Sequence, residues 1–254
     1  LSKEFTVRGI AHMPVKGYYL RKLYPVPELR TFGDIDLLIH REDRQKVHEL
    51  MLSLGYSVKQ NWEPTYSYIK GAEYYEIHTN LMDGNLDNRA DLKAYFDAAW
   101  RYAEPDDGLR YRPASDFHFI YTVCHLAKHL YGGGAGLRMY LDIALYMKNE
   151  SARLNMENIE REMAALQLTE FFHTLMNACS AWFGTECGCS LPPPDEAAIK
   201  KLLCYTLDSD LFGHSRDHAV IELRNSESKK PAKGKLIRNM LFPPAGQIES
   251  RYTF

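Results

Sequence analysis

Apolar positions come in short runs early in the chain and in long ones later. Residues 10–15 form the first short run, which stops at Lys16-Gly17. A helical stretch follows, with Tyr18, Leu20 and Leu23 on one face until Pro25 and Pro27 end it. Residues 35–39 read as a strand. Over residues 41–54, Val47, Leu50, Met51 and Leu54 recur at helical spacing, and Gly55 is placed to cap the C-terminus. Residues 56–60, 66–69 and 74–81 read as further strands, with Gly71 at a hairpin turn. Pro105-Asp106-Asp107-Gly108 is a turn-rich boundary. Beyond it, residues 117–130, 137–147, 156–168, 169–183 and 196–207 read as helices. The Lys- and Ser-rich stretch 226–235 reads as a solvated loop before a last short helix. The pattern predicts an α+β chain: an α/β domain over residues 1–108 and a helical domain over 109–254.

Composition narrows the field. With 254 residues, 45% hydrophobic and 25% charged, the chain can bury a core without metal or disulfide staples. A formal net charge of −2 gives no sign of duplex nucleic acid or an anionic membrane as partner. No apolar stretch approaches the roughly 20 residues of a membrane span. Five cysteines stand at 124, 179, 187, 189 and 204. Cys187-Gly188-Cys189 lacks the second Cys or His pair of a zinc site, so reduced structural thiols are expected. With no signal peptide in evidence, the expected compartment is the cytoplasm.

The chemistry concentrates in Gly33-Asp34-Ile35-Asp36-Leu37-Leu38-Ile39. In a strand, i and i+2 share a face, so Asp34 and Asp36 project together. Adjacent carboxylates repel unless a cation neutralises them, and hard oxygen ligands suit Mg²⁺, which completes its shell with water and substrate phosphates. A bare Asp-x-Asp can equally be a turn at a solvated strand end; its neighbours argue for metal. Upstream, Pro14-Val15-Lys16-Gly17 runs from a strand into a helix N-terminus, where N–H groups and the dipole favour phosphate. Downstream, Tyr75-Glu76-Ile77-His78 offers Glu76 as a third carboxylate, or Glu73 if the strand register differs. Arg30 either reaches a phosphate with its fork or pairs with Glu28 or Asp34. His78 shares a face with Glu76, to orient a carboxylate or simply to be buried.

Other features have blander readings. His125 and His129 share a helix face without the rest of a zinc motif. Arg138 and Asp142 are spaced for a helix-surface ion pair, the glycine-rich stretch 132–136 suits an interhelical loop, and Tyr66, Tyr68, Tyr74 and Tyr75 suit sheet packing.

Gly17, the Asp34/Asp36 pair and Glu76 resemble the pattern of the DNA polymerase beta-like nucleotidyltransferase superfamily: a small-residue turn, hDhDh, then h[DE]h. More narrowly, Val15-Lys16-Gly17, Leu23-Tyr24, Arg30 and residues 33–38 resemble the uncharacterised nucleotidyltransferase family. That resemblance continues through Gly55-Tyr56, Glu76-Ile77-His78, His125, His129, Arg138 and Asp142. It implies a nucleotidyltransferase-type mixed β-sheet with flanking helices and a helical C-terminal region. It implies two Mg²⁺ ions on Asp34, Asp36 and Glu76, with Lys16, Gly17, Arg30 and Gly33 around the nucleoside triphosphate. The implied activity moves a nucleoside monophosphate, AMP first among them, to a hydroxyl of a small molecule. Two alternatives stand beside it: modification of protein or RNA as in toxin–antitoxin systems, and a degenerate nucleotide-binding module. The sequence departs from the superfamily in having Lys16-Gly17 for the usual Gly-Ser turn, and in a longer interval before Asp34.

Overall fold

In the computed structural model the described residues are 1–208, apart from 32, 83, 85, 87–90, 133 and 189. The loop and last helix expected after residue 208 lie outside them. By compactness the chain divides into two units, one of Leu1–Tyr121 and one beginning at Thr122.

The first unit is built on a seven-stranded mixed sheet. Its strands are β1 (His12–Pro14), β2 (Ile35–Ile39), β3 (Ser57–Trp62), β4 (Thr65–Lys70), β5 (Glu73–His78), β6 (Ala103–Asp107) and β7 (Arg110–Pro113). Their order across the sheet is β3-β4-β5-β2-β1-β7-β6. β2 runs antiparallel to β1 and parallel to β5, and β1 runs parallel to β7. Helices α1 (Ser2–Val7), α2 (Gly17–Leu20), α3 (Arg44–Ser53) and α4 (Leu92–Asp97) flank it, joined by short 3₁₀ turns.

One sheet face carries a large part of the core. Leu37 and Ile39 of β2, Ile77 of β5 and Tyr66 and Tyr68 of β4 form a buried cluster with Val47, Leu50 and Met51 of α3. Each such apolar side chain stabilises the fold by about 1.5–3 kcal/mol on burial. Tyr66 and Tyr68, with Tyr75 packed against the cluster, thus serve packing, as the pattern implied. Helix α3 ends in a Schellman motif: Tyr56 N–H donates to Met51 C=O at 3.0 Å and Gly55 N–H to Leu52 C=O at 3.0 Å. Gly55 supplies the left-handed φ of +83° that this stop requires.

The turn read at 105–108 exists, with Gly108 at φ +59°, but strands β6 and β7 flank it and join the sheet through β1. These strands had no apolar alternation to reveal them: β6 carries Glu104, Pro105, Asp106 and Asp107.

The long helix α5 (Ser115–Gly132) contains the boundary between the units. In the second unit, α8 (Thr169–Phe183) packs on α6 (Leu137–Glu150), α7 (Met156–Ala165) and α9 (Glu196–Asp208). Asn155 caps α7, accepting from Asn158 N–H at 3.0 Å. Asp142 is 3% exposed, so it lies buried rather than on the helix surface. Cys124 and Cys179 are free and buried and Cys204 is free and exposed, while Cys187 is disulfide-bonded, against the expectation of reduced thiols. Among the described residues no helix is long and apolar enough to cross a membrane.

Candidate active site

The face of the sheet opposite the core is set by the same alternation. With Leu37 and Ile77 turned to the core, Asp36 and Glu76 turn away from it. The parallel β2–β5 register pairs Asp36 with Glu76 and Leu38 with His78. The β4–β5 register then sets Ser67 opposite Glu76 and Thr65 opposite His78. Directly opposed residues share a face with Cβ atoms about 5 Å apart. A polar row therefore runs across the three inner strands, Asp36 to Glu76 to Ser67, with His78 and Thr65 alongside.

Asp36 is the hub. It is 3% exposed, and its Oδ1 accepts a hydrogen bond from Lys16 Nζ at 2.8 Å. His78 Nε2 lies 2.9 Å from the same oxygen and 3.7 Å from Oε2 of Glu76. On the far side of that ring, Nδ1 is 3.1 Å from Thr65 Oγ1. With Nε2–H donating to Oδ1 of Asp36, Nδ1 is left to accept the Thr65 hydroxyl proton, which orients the ring.

Lys16 reaches inward because of its backbone. It sits between β1 and α2 at φ 47°, ψ −121°, a conformation that a residue with a Cβ adopts only when its surroundings hold it there. Its N–H donates to His118 Nε2 at 3.2 Å, and its C=O accepts from Tyr19 N–H at 3.1 Å and Leu20 N–H at 3.0 Å. Gly17, the next residue, is buried at the start of α2.

The electrostatics follow from burial and these partners. Burial alone would raise the Asp36 pKa, but Lys16 and His78 outweigh it and hold the carboxyl well below the usual range. Lys16 shows the reciprocal effect: burial opposes its charge, Asp36 overcomes that, and its pKa rises. Asp34 and Glu76 are both raised, first by burial and then by the charge of Asp36. His118 is pushed down to about 3 by burial and by Arg30, so it is a neutral acceptor for the Lys16 N–H.

The residues singled out from sequence separate into two groups. Lys16, Asp36 and Glu76 come together with His78, and Asp34 joins them electrostatically. Glu76, not Glu73, stands opposite Asp36; Glu73 pairs with Lys70 at the far end of the strand and accepts from the Tyr56 hydroxyl. Arg30 is buried beside His118, and Glu28 lies 3.7 Å from Arg21. Gly33 is exposed, with nothing within 4 Å of where a Cβ would stand, so crowding does not demand glycine there. His125 and His129 meet on α5 with their Nε2 atoms 3.1 Å apart. His118 was invisible beforehand: it lies 102 residues from Lys16 in the chain. Tyr121, whose hydroxyl pKa burial raises and Lys16 lowers, is a second such neighbour.

The donor set fits a divalent ion. Asp36, Glu76 and His78 each offer one ligand atom, all within 4.8 Å of one another. Ser67 adds a hydroxyl that is 1% exposed and whose Oγ has no hydrogen-bond partner among the described residues, as a group awaiting a hydrated cation or substrate would be.

A family model described as uncharacterised nucleotidyltransferase matches residues 1–184. The chain belongs to the uncharacterised nucleotidyltransferase family. No curated protein sequence matches it. Among solved structures, this nucleotidyltransferase is similar to the antibiotic-resistance factor ANT(2″)-Ia in solution. The TM-score is 0.47 at 13% identity, over 65% of this chain and 86% of that one. It is also similar to crystalline ANT(2″)-Ia in complex with adenylyl-2″-tobramycin, with a TM-score of 0.46 at 13% identity, over 65% of this chain and 92% of that one. Both likenesses are too distant to inform the chemistry. Family membership and the polar row agree on nucleotidyl transfer as the class of reaction.

Proposed function

We propose that the protein transfers a nucleoside monophosphate, AMP from ATP in the first instance, to a hydroxyl of a small molecule in a magnesium-dependent reaction. The observation that carries this reading is the convergence of Asp36, Glu76 and His78 beside the Lys16-Gly17 turn, in a chain of this family. Asp36 and Glu76, completed by Asp34 or His78, would hold the metal, two ions in the form the family resemblance implies. When bound, divalent ions there neutralise charge on the phosphates and lower the pKa of the acceptor hydroxyl.

The chain's own residues supply the rest. The acceptor oxygen bonds to the α-phosphorus as the bond to the α–β bridging oxygen breaks, and pyrophosphate leaves. Glu76 serves either as a metal ligand or, with its proton affinity raised by burial and by Asp36, as the base that takes the proton from the acceptor. Lys16 carries a fixed positive charge to the phosphates, in place of the hydroxyl of a Gly-Ser turn. Gly17, Arg30 and Gly33 complete the donor site in this reading. Asp36, kept ionised by Lys16 and His78, is the constant negative charge around which the others are arranged.

The test is calorimetry with ATP, CTP, GTP and UTP in Mg²⁺, on the wild type and on Asp34→Asn/Asp36→Asn. Metal-dependent binding of one triphosphate, lost in the folded variant, identifies the donor and justifies a screen of hydroxylated acceptors for pyrophosphate release. Absence of nucleotide binding by the wild type, or equal binding by the variant, would overturn the proposal.

A further inference from the structure

Lys16 stands in an unexpected place. A lysine meant only for phosphate would reach out of the site, yet this ammonium lies against Oδ1 of Asp36, the central carboxylate of the proposed metal set. That oxygen faces His78 Nε2 at 2.9 Å as well, so both of its acceptor directions are taken. An ion arriving on either Asp36 oxygen meets the ammonium as a neighbouring like charge. The placement is built into the fold. The left-handed backbone of Lys16, tied by His118 on one side and by Tyr19 and Leu20 on the other, aims the side chain at Asp36. The side chain is 17% exposed, and its flexible four-carbon stem lets the ammonium move while the backbone stays.

We propose that Lys16 is an internal counter-cation that occupies Asp36 in the metal-free protein and is drawn off by an incoming triphosphate, so that metal and nucleotide load together. The inference rests on the metal-dependent reading above. Without nucleotide, a divalent ion must compete with a tethered ammonium. With nucleotide, the phosphates offer that ammonium a more highly charged partner and free the carboxylate. Linkage makes the effect reciprocal: metal strengthens nucleotide binding by the factor with which nucleotide strengthens metal binding.

The experiment is Mn²⁺ binding, read from the electron paramagnetic resonance signal of free Mn²⁺. It compares wild type, Lys16→Met, Lys16→Gln and Asp36→Asn, each with and without a non-hydrolysable ATP analogue. Lys16→Gln keeps a hydrogen-bond donor for Asp36 without the charge, and circular dichroism establishes that each variant is folded. The expected result is that the wild type binds Mn²⁺ at least about 10-fold more tightly with the analogue, within the usual range of coupled sites. Both Lys16 variants should bind Mn²⁺ about 10-fold more tightly than wild type in its absence, and lose most of the coupling. If Mn²⁺ binding depends on Asp36 but the folded Lys16 variants bind no more tightly than wild type, the counter-cation role is overturned and the metal site stands. If no form binds Mn²⁺ with or without the analogue, the metal-dependent reading itself fails and takes this inference with it.

Discussion

The buried Lys16–Asp36 pair makes a quantitative prediction about stability. At 2.8 Å and an effective dielectric constant of about 20, the attraction is about 6 kcal/mol before desolvation. Taking both charges out of water cancels much of that, so the pair as a whole contributes little net. Breaking it is another matter. Lys16→Met leaves a 3%-exposed carboxylate with His78 as its near polar neighbour, and a loss of about 3–5 kcal/mol is expected. Asp36→Asn should cost less, about 2–3 kcal/mol, because Asp34 and Glu76 remain to attract the ammonium. In the double variant neither charge is stranded, so its loss should fall short of the sum of the two by about 2 kcal/mol. The assay is urea unfolding of the four proteins at pH 7 in chelator, compared where the m-values agree. Additivity to within about 0.5 kcal/mol, the behaviour of independent sites, would refute the reasoning.

Three further outcomes are expected. Glu76→Gln should stabilise the metal-free protein by about 0.5–2 kcal/mol, since burial and Asp36 disfavour its charged form, and Mg²⁺ should reverse the order; thermal melts in chelator and in Mg²⁺ check both halves. His118 has a folded pKa of about 3, below its unfolded value of about 6.5. Its stabilisation is complete above pH 6.5 and is lost progressively as pH falls below that. Wild-type stability should thus decline below pH 6.5 by up to about 1.4 kcal/mol per pH unit from this group, and His118→Gln should flatten the decline in denaturant titrations. His12, also lowered by burial, leaves a residual slope. Phe96, fully buried against Phe117 and Tyr121, should cost about 3–5 kcal/mol as Phe96→Ala by chemical denaturation, and a loss under 1 kcal/mol would show that the packing relaxes around the gap.

Much of this site could be read in the sequence because a single alternation places both its apolar and its acidic residues. The alternation in residues 33–39 that buries Leu37 and Ile39 also sends Asp36 to the other face, so one pattern gave both the strand and the acid. Glu76 followed by the same logic, and the paired register excludes Glu73 from its place. What stayed hidden has a common cause. The role of His118 depends on a contact between distant segments, and no local period records it. Lys16 was legible as a lysine at a strand end but not as the partner of Asp36, since that depends on a left-handed φ at a residue whose type does not advertise it. The β6–β7 hairpin escaped because its polar residues, among them the pair Glu104–Arg112 at 2.7 Å, carry the signature of a solvated turn.

The β2–β5 pairing also acts as a proofreading device for the fold. Because Asp36 and Glu76 alternate with Leu37 and Ile77, a chain that slipped one residue in both strands would turn the acids into the apolar cluster and the aliphatic side chains out to water. Such a sheet could not persist as a folded species: the error that would misplace the acids also removes the driving force for assembly. Molecules that complete folding through these strands therefore carry their acids on the same side, and quality control at the level of stability doubles as quality control of the candidate site.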